Sequence, residues 1–257
     1  MLQIWPIPCL RDNYAWLIQC AESGAVGVVD PSEPGPVLAA LHARGLRLDA
    51  IFNTHHHADH IGGNEGLLAY FPGIPVYAHH SDRTRIPSLS HPLEEGDQVQ
   101  LGLARARVLH VPAHTRGAVA YVFENAVFTG DTLFSAGCGR LFEGTPAELE
   151  RAMSKLEALP DALLLCCGHE YTVQNLRFAA WISPTDSAVA QRRAEAEALR
   201  AQQLPTVPVP LHVEKATNPF LRASDPALEQ GASARAGEVC RGRVQTLGTL
   251  RRLKDQF

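Results

Sequence analysis

An α/β domain followed by a smaller helical domain is the fold class that this sequence predicts, and three features predict it. Short β-rich runs recur through the first ~170 residues, punctuated by Gly and Pro. Helical stretches fall between them. From about Val173 onward strand-like runs nearly vanish, and the composition turns Ala-, Glu- and Arg-rich. The boundary is placed near Tyr171–Val173, giving an expected catalytic unit of residues 1–172 and a helical unit of residues 173–257.

Along the chain, Tyr14–Gln19, Ala25–Val29 and Asp49–Phe52 are the first β-rich runs. Pro36–Arg44 and Gly63–Tyr70 have helical character. Arg107–Val111, Val119–Phe123 and Ala126–Phe128 are further strands. Pro146–Leu159 is a helix, because Thr145 is a good cap, Pro146 suits a first helical turn, and Glu148 lies three residues past the cap. Leu163–Cys166 is the last strand. Asp186–Gln203 is a solvated helix, broken by the Pro-containing stretch Leu204–Pro210. Val244, Leu247, Leu250 and Leu253 lie three apart and make an apolar helical stripe.

Composition excludes several classes. Hydrophobic residues make up 46%, ample for a core, while a net charge of −4 argues against a partner held by bulk positive charge, such as nucleic acid. No stretch is long and apolar enough to span a bilayer. The N-terminal residues Met1–Pro6 lack the basic start and apolar run of a secretion signal. None of the six cysteines forms a CxxC pair, and a chain this long needs no disulfide staples. Free, buried thiols and a cytoplasmic location are the expectation.

The most informative stretch is Thr54-His55-His56-His57-Ala58-Asp59-His60. It concentrates imidazole and carboxylate, which are ligands for zinc, iron and manganese. His55 and His57 are two apart, so on an extended segment they point the same way. Adjacent Asp59 and His60 share a site only if the chain turns, and Gly62 and Gly63 follow to permit it. Three more candidates sit at strand ends: His114, Asp131 and His169. His56 should point the other way. The paired His79 and His80 look like ligands but lack a supporting pattern.

The order H-x-H-x-D-H, then His, then Gly-Asp, then Gly-His resembles the metallo-β-lactamase superfamily. The resemblance implies an αβ/βα sandwich with a metal site at one edge. It assigns His55, His57 and His114 to one divalent ion and Asp59, His60 and His169 to a second, with Asp131 bridging. Finer motifs resemble the glyoxalase II family, the hydroxyacylglutathione hydrolases. They are Leu10–Tyr14, Gly130–Arg140 with Phe142–Thr145, Gly168–Thr172, Asn218–Arg222 and the tail Arg251–Phe257. One departure is Ala118, where the family usually carries a second histidine.

That resemblance implies hydrolysis of the thioester S-D-lactoylglutathione to D-lactate and glutathione, the second step of methylglyoxal detoxification. Asp131 and Asp59 would be the catalytic carboxylates. The cofactors would be two divalent ions, zinc first, with iron or manganese also compatible. Glutathione carries two carboxylates, and Arg251 and Lys254, three apart, share a helix face that could grip them. Arg140, Phe142 and Tyr171 complete the expected substrate site. The partner is thus a small glutathione thioester, with no nucleic acid and no membrane, and a monomer is expected. Rival readings are a lactonase or other thioesterase of the superfamily, a redox di-iron protein, and a nuclease.

Overall fold

The computed structural model covers residues 1–257. Its first sheet comprises β1 (Leu2–Cys9), β2 (Asn13–Cys20), β3 (Val26–Val29), β4 (Ala50–Phe52), β5 (Val76–His79) and β6 (His91–Leu93), in that spatial order. The first three strands pair antiparallel, and the rest are parallel. The second sheet contains β7 (Gln98–Leu101), β8 (Ala104–His110), β9 (Val119–Val122) and β10 (Ala126–Gly130). A small hairpin, β11 (Leu133–Phe134) and β12 (Gly137–Cys138), follows. Then β13 (Leu164–Cys167) and β14 (Val209–Pro210) join the second sheet, whose order is β14-β13-β10-β9-β8-β7.

The two sheets pack face to face, and β2 shows how the sequence dictates this. Its side chains alternate between faces. Trp16 and Ile18 enter the central core with Phe52, Tyr121 and Phe128, whereas Ala15 and Leu17 join a second cluster with Val37, Leu41 and Leu67. That second cluster lies under the helices α1 (Pro34–Arg44) and α3 (Asn64–Tyr70), with the single turn α2 (Ala58–Ile61) between them. A strand buried on both faces reads as a continuous apolar run.

Helix α4 (Pro146–Glu157) covers the second sheet through Leu149, Met153 and Leu156. Thr145 and Glu148 form the reciprocal capping box at its start. Five helices follow: α5 (Thr172–Ile182), α6 (Ser187–Ala201), α7 (Leu211–Thr217), α8 (Pro226–Ala236) and α9 (Gly242–Gln256). The apolar stripe of α9 is narrower than its spacing suggested. Leu247, Leu250 and Leu253 are buried, but Val244 is exposed and Arg251 is buried in its stead. Strands β1, β5, β6 and β7 went unread in the sequence. β1 contains Pro6 and Pro8, which sheet interiors exclude, and it tolerates them as an edge strand. All six cysteines are buried and free.

The sheets are stitched at one end. Trp16 Nε1 donates to the Cys167 carbonyl (2.9 Å) and Tyr14 N to the Gly168 carbonyl (2.8 Å). Val119 N donates to the Thr54 carbonyl (2.9 Å), and the Tyr121 hydroxyl to that of Asn53 (2.9 Å). The loops that follow β4, β8, β10 and β13 all converge on this edge.

Candidate metal centre and active site

The loop after β4 begins extended and then turns. His57 has φ −61° and ψ 144° and leads into the single turn α2, which carries Asp59 and His60. The turn is made by residues 58–61 themselves. Gly62 and Gly63 do not supply it, since both have ordinary right-handed backbone (φ −60° and −83°). They are glycine because a Cβ on either would lie 2.6 Å from a carbonyl oxygen, of Ser32 and Pro31 respectively.

The sequence-predicted ligands meet in two groups. His57 Nδ1 lies 3.1 Å from His55 Nε2 and 3.1 Å from His114 Nε2. Two imidazoles can share a proton, but three nitrogens converging on one point cannot. Tetrahedral zinc bonds of ~2.0–2.1 Å would set ligand nitrogens ~3.3 Å apart, close to this spacing. In the second group, Asp59 Oδ2 is 3.6 Å from His60 Nε2 and 3.5 Å from His169 Nε2. Asp131 spans the groups: its carboxylate lies 3.3 Å from His60, 3.3 Å from His169 and 3.6 Å from His114.

The chemistry of this donor set fits cations. His60 Nε2 and Asp131 Oδ1 are buried 3.3 Å apart, yet neither makes a well-aligned hydrogen bond to the other or to any other group, an expensive state that an ion between them would relieve. Burial and the neighbouring imidazoles hold His55 well below the usual histidine range, and burial with His114 lowers His57 to about 4. Both are therefore neutral donors, the form that a metal requires. In the second group burial opposes charge, but the Asp131 carboxylate overrides it. His60 is held well above its ordinary value and His169 is held up to about 10. Divalent ions would replace those protons. Gly168 leaves room for the arrangement, since a Cβ there would overlap the Asp131 carboxylate.

Five of the seven candidate ligands are aimed by a partner outside the cluster. His169 Nδ1 meets Asp12 at 2.9 Å and His60 Nδ1 meets Asp30 at 3.0 Å. His114 Nδ1 meets the Arg140 carbonyl at 2.9 Å, and His55 Nδ1 meets Thr54 Oγ1 at 3.0 Å. Asn13 Nδ2 donates to the Asp59 carboxylate (3.0 Å). Asp30 also accepts from Thr54 N and Thr54 Oγ1 (2.7 and 2.6 Å), and it sits at φ +49°, a conformation rare for a non-glycine residue. Asp30 was missed in the sequence. Its one signal was an acid directly after an apolar strand, the pattern that drew attention to Asp131. Ala118 is buried and aims no ligand; its backbone only closes the turn after His114.

His56 faces away from the cluster, with Nδ1 3.5 Å from Asp82 and Nε2 3.3 Å from Arg85. His79 stacks on His110 (4.1 Å between ring centres), and neither it nor His80 joins a ligand group.

A cavity of about 450 Å³ opens beside the cluster and includes His114, Asp131 and the expected substrate residues Arg140, Phe142, Tyr171, Arg251 and Lys254. Phe142 is 61% exposed and lays its ring edge against His57 and His114. Tyr171 stacks on His169 (4.7 Å between centres). Arg251 differs from the expected solvent-facing grip. It is buried, donating to the Cys138 carbonyl (2.5 Å) and pairing with Asp255 (3.2 Å). A helix position three from Lys254 shares its face, but here that face is packed against the β12 hairpin.

A two-layer sandwich with a His/Asp cluster at its open edge defines the metallo-β-lactamase class of metal-dependent hydrolases, and residues 10–169 match the metallo-beta-lactamase superfamily model. Residues 170–257 match a second model, the hydroxyacylglutathione hydrolase C-terminus. A hydroxyacylglutathione hydrolase of a Synechococcus strain is 48% identical over 98% of both chains, and one of Alkalilimnicola ehrlichii is 48% identical over 100% of both. Among solved structures, TTHA1623 in a di-iron-bound form is 30% identical, covers 64% of this chain and 91% of its own, and superposes with a TM-score of 0.54. The chain belongs to the hydroxyacylglutathione hydrolase family, and it is an enzyme that uses divalent metal ions.

Proposed function

We propose that the chain hydrolyses S-D-lactoylglutathione, and related 2-hydroxyacylglutathiones, to the 2-hydroxy acid and glutathione, the second step of methylglyoxal detoxification. The observation that carries this reading is the single cavity that joins the His/Asp cluster to Arg140, Tyr171, Arg251 and Lys254. Cations beside a hydrolytic centre suit a substrate with two carboxylates, as glutathione has; a simple lactone offers none.

His55, His57 and His114 would hold one ion, and Asp59, His60 and His169 the other, with Asp131 shared. Zinc is the proposed metal, with iron or manganese as alternatives, because the set is nitrogen and oxygen without thiolate. Bound ions supply Lewis acidity, lowering the pKa of water towards 7 and polarising the thioester carbonyl. The protein's own groups do the rest. Asp131 orients the water between the two groups, and Asp59, fixed by Asn13, holds the second. Phe142 shields the first group from bulk solvent. Arg140 and Lys254 hold glutathione carboxylates. The departing thiolate has a free pKa of about 8.5 and needs no general acid. Free buried thiols support a reducing, cytoplasmic setting, and a monomer is proposed.

The test is a thioester, lactone and β-lactam panel on metal-analysed protein. Turnover of S-D-lactoylglutathione is expected, lost in Asp131→Ala, while that variant still binds glutathione. Lactone turnover without thioester turnover would overturn the substrate. Full activity in Asp131→Ala would overturn the mechanism.

A further inference from the structure

The substrate side of the cavity contains a carboxylate that the reading above does not use. Asp255 lies on the last turn of α9, lines the cavity and is 41% exposed. Its Oδ1 takes two cations at once, Arg251 Nη2 at 3.2 Å and Arg140 Nε at 3.3 Å. Its Oδ2 takes none. Arg140 uses only Nε in this pair, so both its Nη groups are unpaired, and its side chain is 63% exposed. A free carboxylate oxygen and a free guanidinium edge therefore stand side by side.

We propose that Asp255 and Arg140 together form a subsite for an α-amino-acid head group, with Asp255 Oδ2 accepting the ammonium and Arg140 Nη binding the carboxylate on the same carbon. The proposal rests on the glutathione reading. Glutathione has one such head group, on its γ-glutamyl residue, and a second carboxylate at its glycine end, which falls to Lys254. Of the cavity's lining residues, only Asp131 and Asp255 are acidic, and Asp131 belongs to the metal cluster. Asp255 is thus the one acidic side chain of the lining left to take the ammonium. Arg251, buried and bonded to the Cys138 carbonyl, fixes the Asp255 carboxylate in place. The Arg140 backbone carbonyl holds His114, so the subsite and the metal cluster share a rigid link.

The test compares S-D-lactoylglutathione with its glutaryl analogue, which lacks only the ammonium. A charge-assisted hydrogen bond makes about a tenfold to hundredfold difference. Wild-type kcat/KM should favour the natural substrate by that factor, through KM. In Asp255→Asn the ratio of the two kcat/KM values should fall to about one, whatever the variant does to turnover of the analogue itself. A merely structural role would instead lower both substrates together and leave the wild-type preference intact. Equal wild-type kcat/KM for the two substrates overturns the subsite and leaves the substrate reading intact, and this comparison needs no variant. A wild-type enzyme that hydrolyses neither thioester overturns the substrate reading itself.

Discussion

Lys254 shows how one side chain's surroundings set a pH window. Its ammonium lies 5.3 Å from the Phe178 ring centre and 5.2 Å from that of Phe257, with the Gln174 carbonyl (3.3 Å) as its acceptor. Burial, and then the neighbouring Arg251, lower its pKa from 10.5 to about 8. The charged form, which a substrate carboxylate needs, is present below that value and lost as pH rises through it. The kcat/KM for a glutathione thioester should therefore fall above pH 8, mostly through KM, because this ratio reports the free enzyme. Lys254→Arg, charged throughout, should move that fall to higher pH. An identical profile in the variant would refute the assignment. The same scale explains what could be read from sequence. The seven candidate ligands were legible because metal chemistry demands rare residue types at tight spacing. Asp30 and Asp12 were not, because an aiming carboxylate is defined by a partner 30 or 157 residues away.

At the scale of elements, several motifs quoted for their family likeness prove to be connectors. Asn218 Nδ2 donates to the carbonyls of Phe134 and Gly137 (3.0 and 3.1 Å), and buried Glu214 accepts from Ser135 Oγ and Ala136 N (2.6 and 2.7 Å). Helix α7 thereby fixes the hairpin leading to Arg140. A second connector ties the loop after β4 to the loop after Arg140. Asp82, with no exposed surface, pairs with Arg85 at 2.7 Å, and Arg85 reaches Glu143 at 2.5 Å and His56 at 3.3 Å. Glu143 follows Phe142, the ring against His57 and His114. Arg85→Met would leave the buried Asp82 carboxylate with only the His56 imidazole beside it, a loss of about 3 kcal/mol. Adding Asp82→Asn should recover part of it, since the two residues are in direct contact. Urea unfolding of the single and double variants measures both, and an Arg85→Met variant as stable as wild type would disprove the clasp. No periodicity announces such a contact. His56 was legible only as pointing away from the metals, and the short strands β5 to β7 offered too few residues for an alternation to show.

For the whole molecule, the cluster would act, with ions bound, as a cross-link between two sheets. Its candidate ligands come from the loop after β4 in the first sheet and from the loops after β8, β10 and β13 in the second. These segments are distant in sequence, so ions that bind only the folded arrangement stabilise it by mass action. Each ion at about a hundredfold excess over its dissociation constant adds about 2.7 kcal/mol, or roughly 5 kcal/mol for two. For a chain of this length that corresponds to about 10–20 °C in Tm. The central core of Trp16, Phe52, Tyr121 and Phe128 uses no ligand side chain, so the chelated protein should remain folded at room temperature. Calorimetry before and after chelation, with the metal content measured in both samples, should show the drop in Tm, reversed on adding zinc. A Tm that stays unchanged after verified metal loss would show that the two sheets hold the site together without help from the ions.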